Sequence, residues 1–136
     1  MNPVAPTAAL VWFDGACSGN PGPMGAGAVV VLGNGREQRL SASVGVGTNN
    51  EAEYHGLILG LQAALDGGAK AVHVRGDSQL ILRQLEGRYQ VKAANLRGLY
   101  GQAKALLERF ERFELEWVRR EDNAPADAAA RAGVKR

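Results

Sequence analysis

In the stretch "GTNNEAEYHG", Gly47 to Gly56, two amides (Asn49, Asn50) and two carboxylates (Glu51, Glu53) crowd the start of an amphipathic segment. Two further carboxylates, Asp14 and Asp77, each follow a short strand-like run, "LVWF" in the first case and "AVHVRG" in the second. Taken singly, such an aspartate serves as a strand-end cap or turn acceptor. Brought within about 4–6 Å of each other, two carboxylates do not both ionise cheaply unless a cation answers them. An all-oxygen set favours a hard ion, magnesium or manganese, over zinc. Cys17 is the one cysteine, and His55 and His73 are the only histidines, so an internal disulfide is excluded and Cys/His transition-metal chemistry is disfavoured. Gly15, Gly76 and Ser78 beside the aspartates are small enough to let a substrate backbone come close.

The elements that must position these groups follow from periodicity. Leu10 to Phe13 reads as a buried strand that stops at Asp14 and passes into the turn-formers "GACSGNPGP". The β-branched run after "GAGA" leads into Asn34-Gly35, a hairpin signal, beyond which Leu40, Ala42, Val44 and Val46 alternate with polar residues. Three antiparallel meander strands are expected. Tyr54, Leu57, Ile58, Leu61 and Leu65 keep the spacing of a helix that buries one face, ended by Gly67-Gly68. A strand closes at Asp77, a short helix holds Leu80, Ile81, Gln84 and Leu85, and a longer one capped by Asn95 runs to Arg109. "FELEWV" is a strand, and Asn123 caps a closing helix with Pro125 in its first turn. A right-handed crossover places the fourth strand parallel to the first, so Asp14 and Asp77 meet beyond adjacent strand ends, where open α/β sheets bind ligands.

At 136 residues and 46% apolar composition, the chain is expected to be one domain over 8–133, with 1–7 and 134–136 as flexible termini. No stretch approaches the roughly 20 apolar residues of a membrane span, and the start lacks the pattern of a signal peptide, so a cytoplasmic location, no membrane partner and a monomer are expected. Net charge is +2, built from twelve arginines and four lysines against fourteen acids. Arginine preference suits phosphate contact, because the planar fork matches phosphate oxygens, although a solvated arginine-rich surface gives the same count.

The segments "DGACSGNPGPMGAGAV", "TNNEAEYHGLILGL", "GDSQLILRQL", "KAANLRGLYGQA" and "WVRREDNAPADAAAR" together resemble the successive motifs of type 1 ribonuclease H, in family order from Trp12 to Arg131. The resemblance implies an α/β, RNase H-like fold: a five-stranded mixed sheet, first three strands antiparallel, flanked by helices. It implies an endonuclease that hydrolyses the RNA strand of RNA:DNA hybrids with two Mg2+ ions, Mn2+ being a possible substitute, and leaves 5′-phosphate and 3′-hydroxyl ends. Asp14, Glu53, Asp77 and Asp127 would be the catalytic and metal-binding carboxylates, with Asp14 shared by both ions. Gly15, Asn20, Thr48, Asn49, Asn50 and Gln79 would contact the hybrid, the amides in its minor groove and Thr48 with Asn50 near a DNA phosphate.

The helical wheel alone does not choose between Glu51 and Glu53. The family motif places the metal ligand at Glu53, and Thr48 followed by Glu51 fits a capping box that occupies Glu51 locally. Two features of the family pattern are missing. "WVRREDNAPAD" is too short for the histidine loop that many members carry, which leaves Arg119 and Arg120 as auxiliary candidates, and only "EGRYQVKAAN" stands where others have a basic protrusion. Arg83, Arg88, Tyr89 and Lys92 remain for contact with the DNA strand. His73, in a strand, is expected to be a core histidine and His55 to lie on the outer helix face. The rival reading is a non-catalytic module that binds hybrids or double-stranded RNA.

Overall fold

The computed structural model describes residues 7–135. Strands β1 (Ala8–Cys17), β2 (Gly22–Val31) and β3 (Glu37–Gly47) form the meander. Helix α1 (Asn49–Asp66) crosses to β4 (Ala71–Gly76), helices α2 (Gln79–Leu85) and α3 (Ala94–Glu108) follow, and β5 (Arg112–Trp117) leads through a 3-10 turn (Arg120–Asn123) to α4 (Ala124–Val134). The sheet order is β3-β2-β1-β4-β5, with β1 to β3 antiparallel and β4 and β5 joined in parallel to β1. This is the five-stranded mixed sheet expected from the sequence. Of the termini expected to be flexible, residues 1–6 and 136 lie outside the described residues, while the Thr7 carbonyl accepts from the amide of Lys70 and α4 runs through Val134.

Alternation on β2 assigns the layers. Ala28 meets α1 at Gly60, and Gly27, pointing the other way, packs against the backbone of Ala130 on α4. On the α1 side, Val11, Phe13, Tyr54, Leu57, Leu61, Val74, Ile81 and Leu107 join one core, with α3 packed on α1. Removing such apolar surface from water stabilises the fold by about 1.5–3 kcal/mol per large side chain. Inside this core the Tyr54 hydroxyl donates to Oε1 of Gln84 at 2.5 Å, so this buried hydroxyl has its partner.

The other face of the sheet is covered by α4 over β1, β2 and β3. Among the described residues no α-helix packs on it over β4 and β5, and this corrects the expectation for His73. Val72 and Val74 take the buried side of β4, so His73 and Arg75 point outward. There the Nε2 of His73 lies 2.7 Å from Glu116, Arg75 donates to the same carboxylate at 3.1 Å, and the Arg75 guanidinium sits 5.1 Å from the ring of Trp12.

Two local expectations shift for reasons of register. Pro23 pairs with Val46 but Gly25 with Ser43, so β3 carries one extra residue there, beside Gly45 at φ +88°. That bulge ends the Leu40-Ala42-Val44 alternation and turns Val46 outward, 73% exposed. β1 does not stop at Asp14 either. Its ladder with β4 ends at the pair Phe13 and Gly76, but its ladder with β2 continues through Asp14, Gly15 and Ala16 to Cys17.

Candidate metal and nucleic-acid site

Asp14 is therefore held on one side by β2 and is the first β1 residue beyond the β4 ladder, and Asp77 follows the last residue of β4. Glu53 arrives from α1, and two glycines set how closely. A first side-chain carbon at Gly15 would collide with the backbone of Ala52 and Glu53, and one at Gly56 with the carbonyl of Asp14. Their absence lets the first turns of α1 lie directly on β1. One carboxylate oxygen from each of Asp14, Glu53 and Asp77 falls within 4.8 Å of the others.

The electrostatics follow from crowding. Asp14 is 4% exposed. Burial pushes its pKa up from 3.8 to about 6, with Asp77 and Asp127 adding repulsion, while hydrogen bonds involving Glu53 and the Gly15 amide pull the other way. The Gly15 amide donates to Oδ1 of Asp14 at 2.8 Å. Glu53 is raised well above the ordinary glutamate value, first by burial and then by the Asp14 charge. Its Oε2 is buried with no hydrogen-bond partner among the described residues. Asp77 is raised by burial, against the nearby positive charge of Arg120. A buried acceptor without a donor costs about 1–3 kcal/mol. Three carboxylates, all pushed toward protonation and one of them with an orphaned oxygen, fit a divalent cation in chemistry and in charge.

Asp127, the fourth expected carboxylate, stands in the first turn of α4. It is near enough for its charge to raise Asp14 and Asp77, but it lies outside the three-carboxylate group. Its two oxygens contact the Nε of Arg131 at 3.3 and 3.2 Å, one helical turn on. The arrangement thus brings three of the four together and turns the fourth toward a cation of its own helix.

The amide entrance is ordered by capping. The Thr48 hydroxyl accepts from the Glu51 amide at 3.2 Å, and Glu51 accepts from the Thr48 amide at 3.1 Å, completing the expected capping box. Glu51 is thereby committed to the helix end, and hydrogen bonding, first from Asn95, holds its pKa below the ordinary value. Asn20 accepts from the backbone amide of Asn49 at 3.0 Å, which binds the β1–β2 turn to the start of α1. Asn49, Asn50 and Gln79 are exposed. The Cys17 thiol donates to the Gly47 carbonyl at 3.0 Å beside this entrance.

Two residues took other tasks than expected. Asn95 is not the cap of α3, which begins at Ala94. Its amide instead donates to Glu51 at 3.0 Å and Thr48 at 3.5 Å, joining α3 to the entrance of α1. Asn123 stands before α4 but makes no side-chain cap bond. It is fully buried and donates to the Phe13 carbonyl at 2.9 Å, and it stands near enough to Asp77 to pull that carboxyl's pKa down against burial. Asn123 thus ties the α4 start to β1 next to Asp14. Trp117, at the end of β5, donates its indole N–H to the Asp77 carbonyl at 3.3 Å. Membership of Asn123 in the "NAPAD" segment was the available signal, but a residue before a helix reads first as a cap.

The auxiliary arginines also separate. Arg119 is exposed and lies 3.9 Å from Asp122, whereas Arg120 is the one whose charge reaches Asp77. Among the residues expected to reach the DNA strand, Arg83 and Arg88 gather beside Trp117, while Tyr89 and Lys92 line a separate hollow with Arg97 and Tyr100.

A family model described as "Reverse transcriptase-like" matches residues 12–133. The "Bifunctional protein Rv2228c" of Mycobacterium tuberculosis is 44% identical over 128 residues, 89% of this chain and 34% of that protein. The chain thus spans about a third of the length of this curated relative. Among solved structures, RNase H1 from the halophilic archaeon Halobacterium salinarum NRC-1 superposes with a TM-score of 0.89 at 39% identity, covering 94% of this chain and 98% of that one. LC11-RNase H1, solved in complex with an RNA/DNA hybrid, gives 0.85 at 34% identity, over 93% and 96% of the two chains.

Proposed function

Because this chain belongs to the type 1 ribonuclease H family, we propose that it is an endonuclease that hydrolyses the RNA strand of RNA:DNA hybrids with the help of divalent cations. The observation that carries this reading is the meeting of Asp14, Glu53 and Asp77 within 4.8 Å, with Glu53 Oε2 buried and unpartnered. A binding module has no use for a knot of like charges facing a polyanion.

Asp14, Glu53 and Asp77 would hold the cations, magnesium first and manganese as a substitute, with Asp127 closing the set from α4 once it leaves Arg131. Cations bound there activate water and stabilise charge on the departing 3′ oxygen, yielding 5′-phosphate and 3′-hydroxyl ends. Gly15, whose missing side chain is replaced by the backbone of α1 and not by open space, serves by letting Glu53 reach the carboxylates. Asn20, Asn49, Asn50 and Gln79 present amides that both donate and accept, as the ribose 2′-hydroxyl requires, and this selects RNA in the cut strand. Thr48 and Asn50 would meet a phosphate of the uncut strand. Arg120 supplies positive charge near Asp77, where a phosphate must approach, and takes the auxiliary role over Arg119.

Residues 8–133 act in this reading as a single catalytic domain, monomeric and cytoplasmic. The deciding experiment incubates end-labelled RNA:DNA, RNA:RNA and DNA:DNA duplexes with the protein in magnesium, in manganese and in chelator. Cleavage of the RNA strand of the hybrid, sparing of DNA:DNA and loss in chelator are expected. Equal cutting of DNA:DNA contradicts the assignment.

A further inference from the structure

Trp117 is among the few large apolar side chains left outside the core among the described residues, 47% exposed. Its indole N–H donates to the carbonyl of Asp77, which places the ring beside the carboxylate cluster. It forms one wall of a hollow of about 150 Å³ whose other lining residues are Gln79, Leu82, Arg83, Glu86 and Arg88. Arg83 is half-buried and has no ion pair among the described residues, and Arg88 reaches Glu86 only at 3.6 Å. Two guanidinium groups against one carboxylate leave the hollow cationic. An aromatic face with flanking arginines is the combination that binds single-stranded nucleic acid, because a base stacks on the ring while the arginines meet phosphates.

The geometry points to a subsite for an unpaired nucleotide, on the same strand that is cut, where that strand leaves the hybrid, and this takes Arg83 and Arg88 away from the DNA-strand contact expected of them from the sequence. This inference rests on the nuclease reading above. The hollow shares Gln79 with the proposed groove contacts and touches the backbone of Asp77, so it continues the path of the strand that passes the carboxylates. A base paired in the duplex has its faces covered by its neighbours and offers none to Trp117. An unpaired base at a junction does. The preferred substrate class is therefore a hybrid that carries a single-stranded RNA extension, in preference to a blunt one.

The test measures half-saturating substrate concentration in single-turnover cleavage for a blunt hybrid and for the same hybrid with a single-stranded RNA extension at its 5′ end, at its 3′ end, or with abasic residues in the extension. In the wild type, one of the two extensions should lower half-saturation by about five- to tenfold, as expected for one stacked base, and the abasic form should not. The ratio of blunt to extended is read within each protein, so any general loss caused by freeing the Asp77 carbonyl cancels. Trp117→Ala should bring the ratio to about one. Trp117→Phe, which loses the N–H but keeps a ring, should retain most of it, and Arg83→Gln should reduce it and flatten its salt dependence. A wild type that cuts the blunt hybrid with no preference for either extension, or a Trp117→Ala protein that keeps the preference, overturns the subsite alone. A wild type that leaves every hybrid uncut, blunt and extended alike, overturns the nuclease proposal and the subsite with it.

Discussion

Glu53 on α1 and Asp14 on β1 place carboxylate oxygens in one group no wider than 4.8 Å, and the approach exists because Gly15 and Gly56 leave no side chain between helix and strand. Without a cation this closeness is unfavourable, and it supplies the first test. The Asp14 carboxyl, pushed up to about 6 in the folded protein from 3.8, disfavours the fold once it must ionise. Its stabilising contribution as the neutral acid is complete below pH 3.8 and is lost as pH rises through about 6. Asp14→Asn in chelator should therefore be more stable than the wild type above pH 6, by about 1–3 kcal/mol, and the gap should close toward pH 4. Denaturant titrations of both proteins across that range measure it.

The two glutamates of the entrance should separate cleanly. Glu53→Gln removes a proposed ligand and should abolish most cleavage with little loss of stability. Glu51→Gln weakens the capping box and should cost about 0.5–1 kcal/mol while cleavage persists. Single-turnover rates alongside melting curves decide it, and the reverse ranking would mean that Glu51 holds the metal.

Gly56→Ala probes the close approach itself. The added methyl meets the Asp14 carbonyl, a backbone atom that cannot move aside without shifting β1. A loss of about 1–3 kcal/mol is expected, together with a smaller magnesium-induced rise in melting temperature than in the wild type. A variant with native stability and native magnesium response would show that α1 and β1 tolerate a wider gap.

Arg131→Ala addresses the fourth carboxylate. The Asp127 pair is partly exposed, so stability should change by less than about 1 kcal/mol. Releasing Asp127 and removing a positive charge nearby should lower the magnesium concentration at half-maximal melting shift by up to about fivefold. Weaker magnesium binding in this variant would show that Arg131 orients Asp127 for the ion.

What the sequence made legible was local or topological. The Thr48–Glu51 capping box depends on residues three apart, and the parallel placement of β4 beside β1 follows from crossover handedness, so both could be read directly. The ion pair of Asp127 and Arg131, four residues apart on one helix, also carried a readable signal in its spacing. His73, Asn95 and Asn123 are different. His73 sits in a strand whose outer face no helix covers, and only the position of α4 decides that. Asn95 and Asn123 precede or open helices, where capping is the local expectation, yet each amide is taken by partners 44 and 110 residues away. Asp14 looked like a strand end because apolar character stops there, whereas β2 carries the ladder three residues further. Side-chain destinations of this kind are set by tertiary neighbours and not by the segment.

The most direct test of a carboxylate site that works through bound cations is single-turnover cleavage of an RNA:DNA hybrid by Asp14→Asn, with hybrid binding measured on the same protein. The groove amides are untouched by this substitution, so binding should stay within about twofold of the wild type or tighten, while the cleavage rate falls by about a thousandfold or more. Cleavage by Asp14→Asn at near the wild-type rate would contradict the account.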